Sequence, residues 1–140
     1  MSDTGKSFEE ITVGDKASFF VVLTPEDHEK FAALSGDTSP VHTDDEYARA
    51  QGFIGKIGYA FHLSSLLSQL YGIHLPGGSS ICLKQESNFS NPWYPGDTIT
   101  VDAEVVRKSE STKMIEIKTE MKRQDGAQVF RGVGIVKLNH

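Results

Sequence analysis

The chain has 140 residues, 38% hydrophobic and 24% charged, with a formal net charge of −5. That length and balance fit one globular domain with a proper core, and the negative charge argues against a nucleic-acid binder while leaving room for an anionic ligand held by a local cluster of Lys and Arg. No apolar run is long enough to cross a membrane, residues 1–15 lack the apolar core of a signal peptide, and a lone Cys82 cannot form an internal disulfide, so a reducing cytoplasm is expected.

Residues 1–10 read as a loose leader, and residues 11–15 as a turn. Residues 17–23 are β-branched and aromatic, a first strand. Thr24, Pro25, Glu26 and Asp27 then open a helix, with Thr24 as N-cap, Pro25 at the first position and acids in the first turn. That helix is expected to carry Phe31 and Leu34 on one face and to stop near Gly36. After a polar loop from Asp37 to His42, Thr43 and Glu46 form a capping-box pattern for a short helix ending near Gly52.

Residues 58–71 are the longest helical candidate, with apolar side chains on most sides, the pattern of a buried helix; Gly72 is its expected stop. From Ser79 the hydrophobic period changes to two. Strands are expected over 79–90, 98–107, 114–123 and 129–138, separated by turns at Asn91-Pro92 with Pro95-Gly96-Asp97, at 108–112 and at Asp125-Gly126. Cys82 falls in the first of these and is expected to be buried filler. One buried helix, a strand before it and four strands after it make an α+β chain whose antiparallel sheet wraps around the central helix.

The stretch that carries chemistry is Phe31-Ala-Ala-Leu-Ser-Gly-Asp-Thr-Ser-Pro-Val-His42. A carboxylate and an imidazole in one loop can share a proton or a water. The segment Leu34-Ser35-Gly36-Asp37-Thr38-Ser39-Pro40-Val41-His42 resembles the signature of the MaoC-like (R)-specific enoyl-CoA hydratases of the hydratase 2 type: Ser/Thr-Gly-Asp-x-Asn-Pro-apolar-His. The resemblance runs from about residue 17 to 138 and takes in Leu75-Pro76-Gly77 and Tyr94-Pro95-Gly96-Asp97-Thr98. It implies a hot-dog fold, a homodimer with sites between two subunits, and an acyl thioester of coenzyme A or of acyl carrier protein as substrate, with no cofactor.

It also implies that Asp37 and His42 flank one water and divide the acid and base roles. Hydration of an enoyl thioester needs a proton taken from water, a proton given to the α carbon, and a donor for the negative charge on the thioester oxygen. A near-neutral imidazole suits the first, and a carboxylic acid whose proton affinity is raised suits the second. The residues alone leave open which group moves which proton. An Asp in this setting also makes a good turn residue, and His42 also suits packing beside a helix start.

Four residues depart from the family pattern: Ser39, Tyr59, Ala60 and Phe61. Ser39 replaces Asn in the loop. At the entrance to the long helix, the usual apolar-His-Gly-Met becomes Ile57-Gly58-Tyr59-Ala60-Phe61. The resemblance puts the backbone N–H of Ala60 at the thioester oxygen; if that position requires φ > 0, its methyl group is strained. Tyr59, Phe61 and Ser39 are expected to reshape the substrate site. Ser68, further along the helix, matches a small polar position near the acyl pocket. His62 reads as structural. His28, His74 and His140 show no ligand-like clustering, and there is no metal motif, dinucleotide loop or nucleophile elbow. Two other readings stay open: a hot-dog thioesterase, and a non-catalytic module that binds acyl thioesters.

Overall fold

A computed structural model describes residues 5–139. Five strands form one antiparallel sheet in the order β1-β3-β4-β5-β2: β1 (Lys16–Val22), β2 (Ser80–Asn88), β3 (Thr98–Ser109), β4 (Met114–Lys122) and β5 (Gln128–Leu138). Period-two alternation decides which face is inside. Ile99, Val101, Ala103 and Val105 of β3 are buried, as are Ile115, Ile117 and Met121 of β4, while Asp102, Lys118 and Lys122 between them are exposed. The Asp125-Gly126 turn joins β4 to β5, with Gly126 at φ 86.

Against the inner face lies α4 (Ala60–Gln69), which buries Leu63, Leu66 and Leu67. The helix does not stop at Gly72. It widens into a π-type turn, Leu70–His74, that brings Tyr71 onto β5, where a Cβ at Gly134 would lie 2.2 Å from the Tyr71 hydroxyl. Only glycine permits that approach, which seats the helix across the sheet. This is the hot-dog arrangement of a sheet around a helix. Nor is the helix apolar-covered all round: Phe61 is 73% exposed, and Ser65 and Ser68 beside it are exposed too.

Several expectations need correction. Residues 1–4 of the expected leader lie outside the described residues, but the rest is not loose. Phe8 sits in a 3-10 turn (Phe8–Glu10), fully buried, with the ammonium groups of Lys108 and Lys113 4.5 and 4.7 Å from its ring centre. One apolar residue in a polar stretch was enough to anchor it. Asp44, not Thr43, caps α3 (Asp45–Ala50), accepting from the N–H groups of Glu46 and Tyr47. Thr43 instead ends the one-turn helix α2 (Pro40–Thr43) and donates its hydroxyl back to the Ser39 carbonyl. Leu34, in the last turn of α1 (Pro25–Ser35), is 85% exposed, so the inward stripe of that helix is His28 with Phe31. Cys82 is exposed on edge strand β2 rather than buried.

Candidate active site

Helix α1 is started by Thr24, whose hydroxyl accepts from the Asp27 N–H at 3.0 Å, and is ended by Gly36 at φ 77. That left-handed residue turns the chain sharply, so Asp37 begins a loop rather than another helical turn. The Asp37 carboxylate accepts from the Ser39 N–H at 3.0 Å. Ser39 is followed by Pro40, which opens α2 and carries His42 round to face the carboxylate. His42 Nε2 lies 4.0 Å from Asp37 Oδ2, too far for a direct hydrogen bond.

The other imidazole nitrogen fixes the tautomer of the neutral ring. Nδ1 lies 2.8 Å from the Ile57 carbonyl oxygen, which can only accept, so Nδ1 carries a proton. In the neutral ring Nε2 is therefore a bare lone pair directed toward Asp37. The Ile57 N–H donates in turn to the Val41 carbonyl at 3.1 Å, tying the two loops together. Hydrogen bonds from Ser39, its hydroxyl first and its N–H second, hold the Asp37 carboxyl below the usual carboxylate range. The raised proton affinity expected of an acid at this position is absent: the carboxylate is half-exposed and stabilised as an anion.

Tyr59 lies beside the pair. It is 3% exposed, and its ring stacks on His42 at 4.0 Å between centroids. Its hydroxyl donates to the Asp37 backbone carbonyl at 2.5 Å. Burial, with the Asp37 charge, pushes the phenol upward, so it remains a donor. Ser39 likewise serves Asp37 and shapes the loop. Thus both residues hold the Asp37 segment, Ser39 from its exposed position in the loop and Tyr59 from the buried side.

Ala60 begins α4 without any positive φ, so its methyl group is not strained there. Its N–H, first in the helix, has no intrahelical acceptor, and the N-cap residue Tyr59 makes no side-chain capping bond to this end. The approach of this helix to the loop depends on Gly58: a Cβ there would sit 2.0 Å from the Trp93 indole. The Gly58 N–H donates to the Trp93 carbonyl, and the Trp93 indole N–H donates to the Tyr59 carbonyl at 3.0 Å. Phe61 and Ser68 lie together on the open side of α4, Phe61 edge-on to Phe89 at 6.3 Å.

His28, Trp93 and the Ile57 carbonyl complete the surroundings of the pair and were not singled out from sequence. For His28 the signal was present: it lies three residues before Phe31, on the same helix face. His62 is buried, stacked on Phe31 at 5.0 Å. Among the described residues, no group of three or more His, Cys, Asp or Glu side chains is placed to hold a metal ion. A depression of about 530 Å³ lies on the outer face of β1, β3 and β4, lined by Lys16, Asp102 and Lys118 among others, and contains none of the candidate residues.

The MaoC like domain family matches residues 10–127. An (R)-specific enoyl-CoA hydratase of Aeromonas caviae is 35% identical over 94% of this chain and 98% of its own, and one of Rhodospirillum rubrum is 31% identical over 80% and 78%. Among solved structures, the (R)-hydratase from A. caviae involved in PHA biosynthesis superposes with a TM-score of 0.88 over 93% of this chain and 98% of its own, at 35% identity. The R-hydratase PhaJ1 from Pseudomonas aeruginosa does so with a TM-score of 0.89, at 31% identity, over 96% and 86%. Matched over most of its length and folded as these hydratases are, the chain belongs to the MaoC-like domain family.

Proposed function

We propose that this chain adds water reversibly across the double bond of a trans-2-enoyl thioester of coenzyme A, giving the (R)-3-hydroxyacyl thioester, with Asp37 and His42 holding the water. The observation that carries the reading is the 4.0 Å gap between Asp37 Oδ2 and His42 Nε2, with Nδ1 engaged elsewhere. A water about 2.8 Å from each atom fits that gap. Both groups facing it are acceptors, so the water donates both protons and presents an oxygen lone pair outward. As that oxygen bonds to the β carbon, one of its protons passes to the pair. The same proton is then available to the α carbon, and water has been added across the bond with no other donor. The reverse sequence is dehydration. The Ala60 N–H is the donor for the charge that gathers on the thioester oxygen, a role suited to an uncapped helix start.

The homodimer and the substrate-facing roles of Phe61 and Ser68 belong to the same proposal. Support comes from the side of α4 that Phe61, Ser65 and Ser68 leave open, which a second copy and an acyl chain would cover. The test is the loss of enoyl absorbance with wild type, Asp37→Asn, His42→Ala and the double variant. Each single change is expected to lower turnover by about a hundredfold or more, and the double by little beyond that, as for groups acting on one water. Near-normal turnover in either folded variant would defeat the assignment. Release of free thiol in place of hydration would point to a thioesterase.

A further inference from the structure

His28 lies behind the candidate pair and takes no part in holding the water. It is 3% exposed on the inward face of α1, between the Tyr59 ring at 4.8 Å and the Trp93 ring at 6.5 Å. Its Nε2 is 2.8 Å from the backbone carbonyl oxygen of His42. A carbonyl only accepts, so Nε2 carries the proton and donates it. Burial pushes the imidazole downward and keeps it neutral. Nδ1 is then an unprotonated nitrogen, buried with no partner among the described residues.

That combination is costly unless the donated bond does something packing alone would not. A buried acceptor without a donor destabilises the fold, and a Phe would fill the same aromatic niche without one. The carbonyl it reaches also matters. α2 is one turn long, so the carbonyl of His42 is among those for which the helix has no donor of its own. His28 supplies that donor from α1. The imidazole of His42 is held at Nδ1 by Ile57 and its peptide is held by His28, while the Tyr59 ring lies against both histidines.

We infer that His28 is a positioning residue: by clamping the His42 peptide it fixes the angle at which His42 Nε2 meets the water between it and Asp37. The inference rests on the hydratase reading above. It is separate from that reading in its test, because the orientation of the His42 ring can be observed without turnover.

Two variants are compared with wild type by kinetics, thermal unfolding and nitrogen NMR of the His42 ring. His28→Phe keeps the ring and removes the donor. His28→Gln replaces the ring but sets an amide N–H at a reach like that of Nε2. For His28→Phe the expectation is a melting temperature close to wild type, relief of the unpaired Nδ1 offsetting the carbonyl left without its donor, with kcat lower by about tenfold and KM within about twofold. Its His42 ring should lose the single Nδ1-protonated tautomer of the wild type. His28→Gln should recover that tautomer and most of kcat. The inference is overturned by a His28→Phe variant with wild-type kcat and an unchanged His42 spectrum, or by His28→Gln behaving no better than His28→Phe. A His28→Phe variant that fails to fold overturns it as well, because the claim is that the ring packs without the nitrogen. If wild type turns over no enoyl thioester, the hydratase reading fails alone, and the His42 spectra of the variants still decide the positioning.

Discussion

Tyr59 stands where the family resemblance expects a histidine, and its hydroxyl donates to the main-chain carbonyl of Asp37. The phenol oxygen lies two bonds further from the backbone than an imidazole Nε2, which lets Tyr59 reach that carbonyl. Tyr59→Phe keeps the ring against His42 and Phe31 and removes only the hydrogen bond. Stability should fall by about 1 kcal/mol, the net worth of one such bond. Turnover should fall by about tenfold as the Asp37 loop loosens. The preference among acyl chains should not move, because the hydroxyl faces the loop. Chemical unfolding and a chain-length series on both proteins check this. A variant that changes its preferred chain length while keeping its rate would return Tyr59 to the acyl pocket.

At the scale of the element, the start of α4 offers a way to remove the proposed oxyanion donor with little harm to the helix. Proline is favoured at the first helical position, where the N–H has no helical partner. The residue before it must be extended, and Tyr59 already is, at φ −74 and ψ 135. Ala60→Pro should therefore fold, with helical circular dichroism retained, and lose a factor of about a hundred or more in kcat. Ala60→Gly, which keeps the N–H, should change kcat by only about twofold. A Pro variant with wild-type turnover would show that the donor lies elsewhere.

Elements with a long regular signal were legible in the sequence. The alternation Ile99-Val101-Ala103-Val105 marked β3, and Thr24 with Gly36 bracketed α1. Short-range signals that compete were not. Thr43 and Asp44 can both cap, and the one-turn α2 decided for Asp44. Gly72 looked like a stop, but packing of Tyr71 on Gly134 carries the coil beyond it. Asp37 and His42 could be paired because they lie in one loop. The clamp from His28 could not, because it joins α1 to α2 only once both dock on Tyr59 and Trp93.

For the whole molecule, the open question is what covers the surfaces a single chain leaves bare. Among the described residues, strand β2 pairs only with β5, so its outer edge is left without a strand partner there. Natural edges are usually blunted by charge or proline, yet the first half of β2 carries Ile81, Cys82 and Leu83 after Ser80, and Ile81 and Leu83 are 48% and 52% exposed. Phe61 is bare on α4 as well, beside the half-exposed Phe89 that follows β2. An edge of this kind with apolar groups beside it is the surface an isologous pair of chains would share, each copy closing the other's sheet. We expect wild type to sediment at about twice 15.4 kDa at assay concentrations. Ile81→Asp with Leu83→Asp places two charges on that edge and should shift the equilibrium to monomer. If the second copy also closes the substrate site, hydration per chain should fall with the dimer fraction, in the variant and on dilution of wild type alike. A wild-type monomer that is fully active across the whole concentration series would sink both the dimer and the shared site.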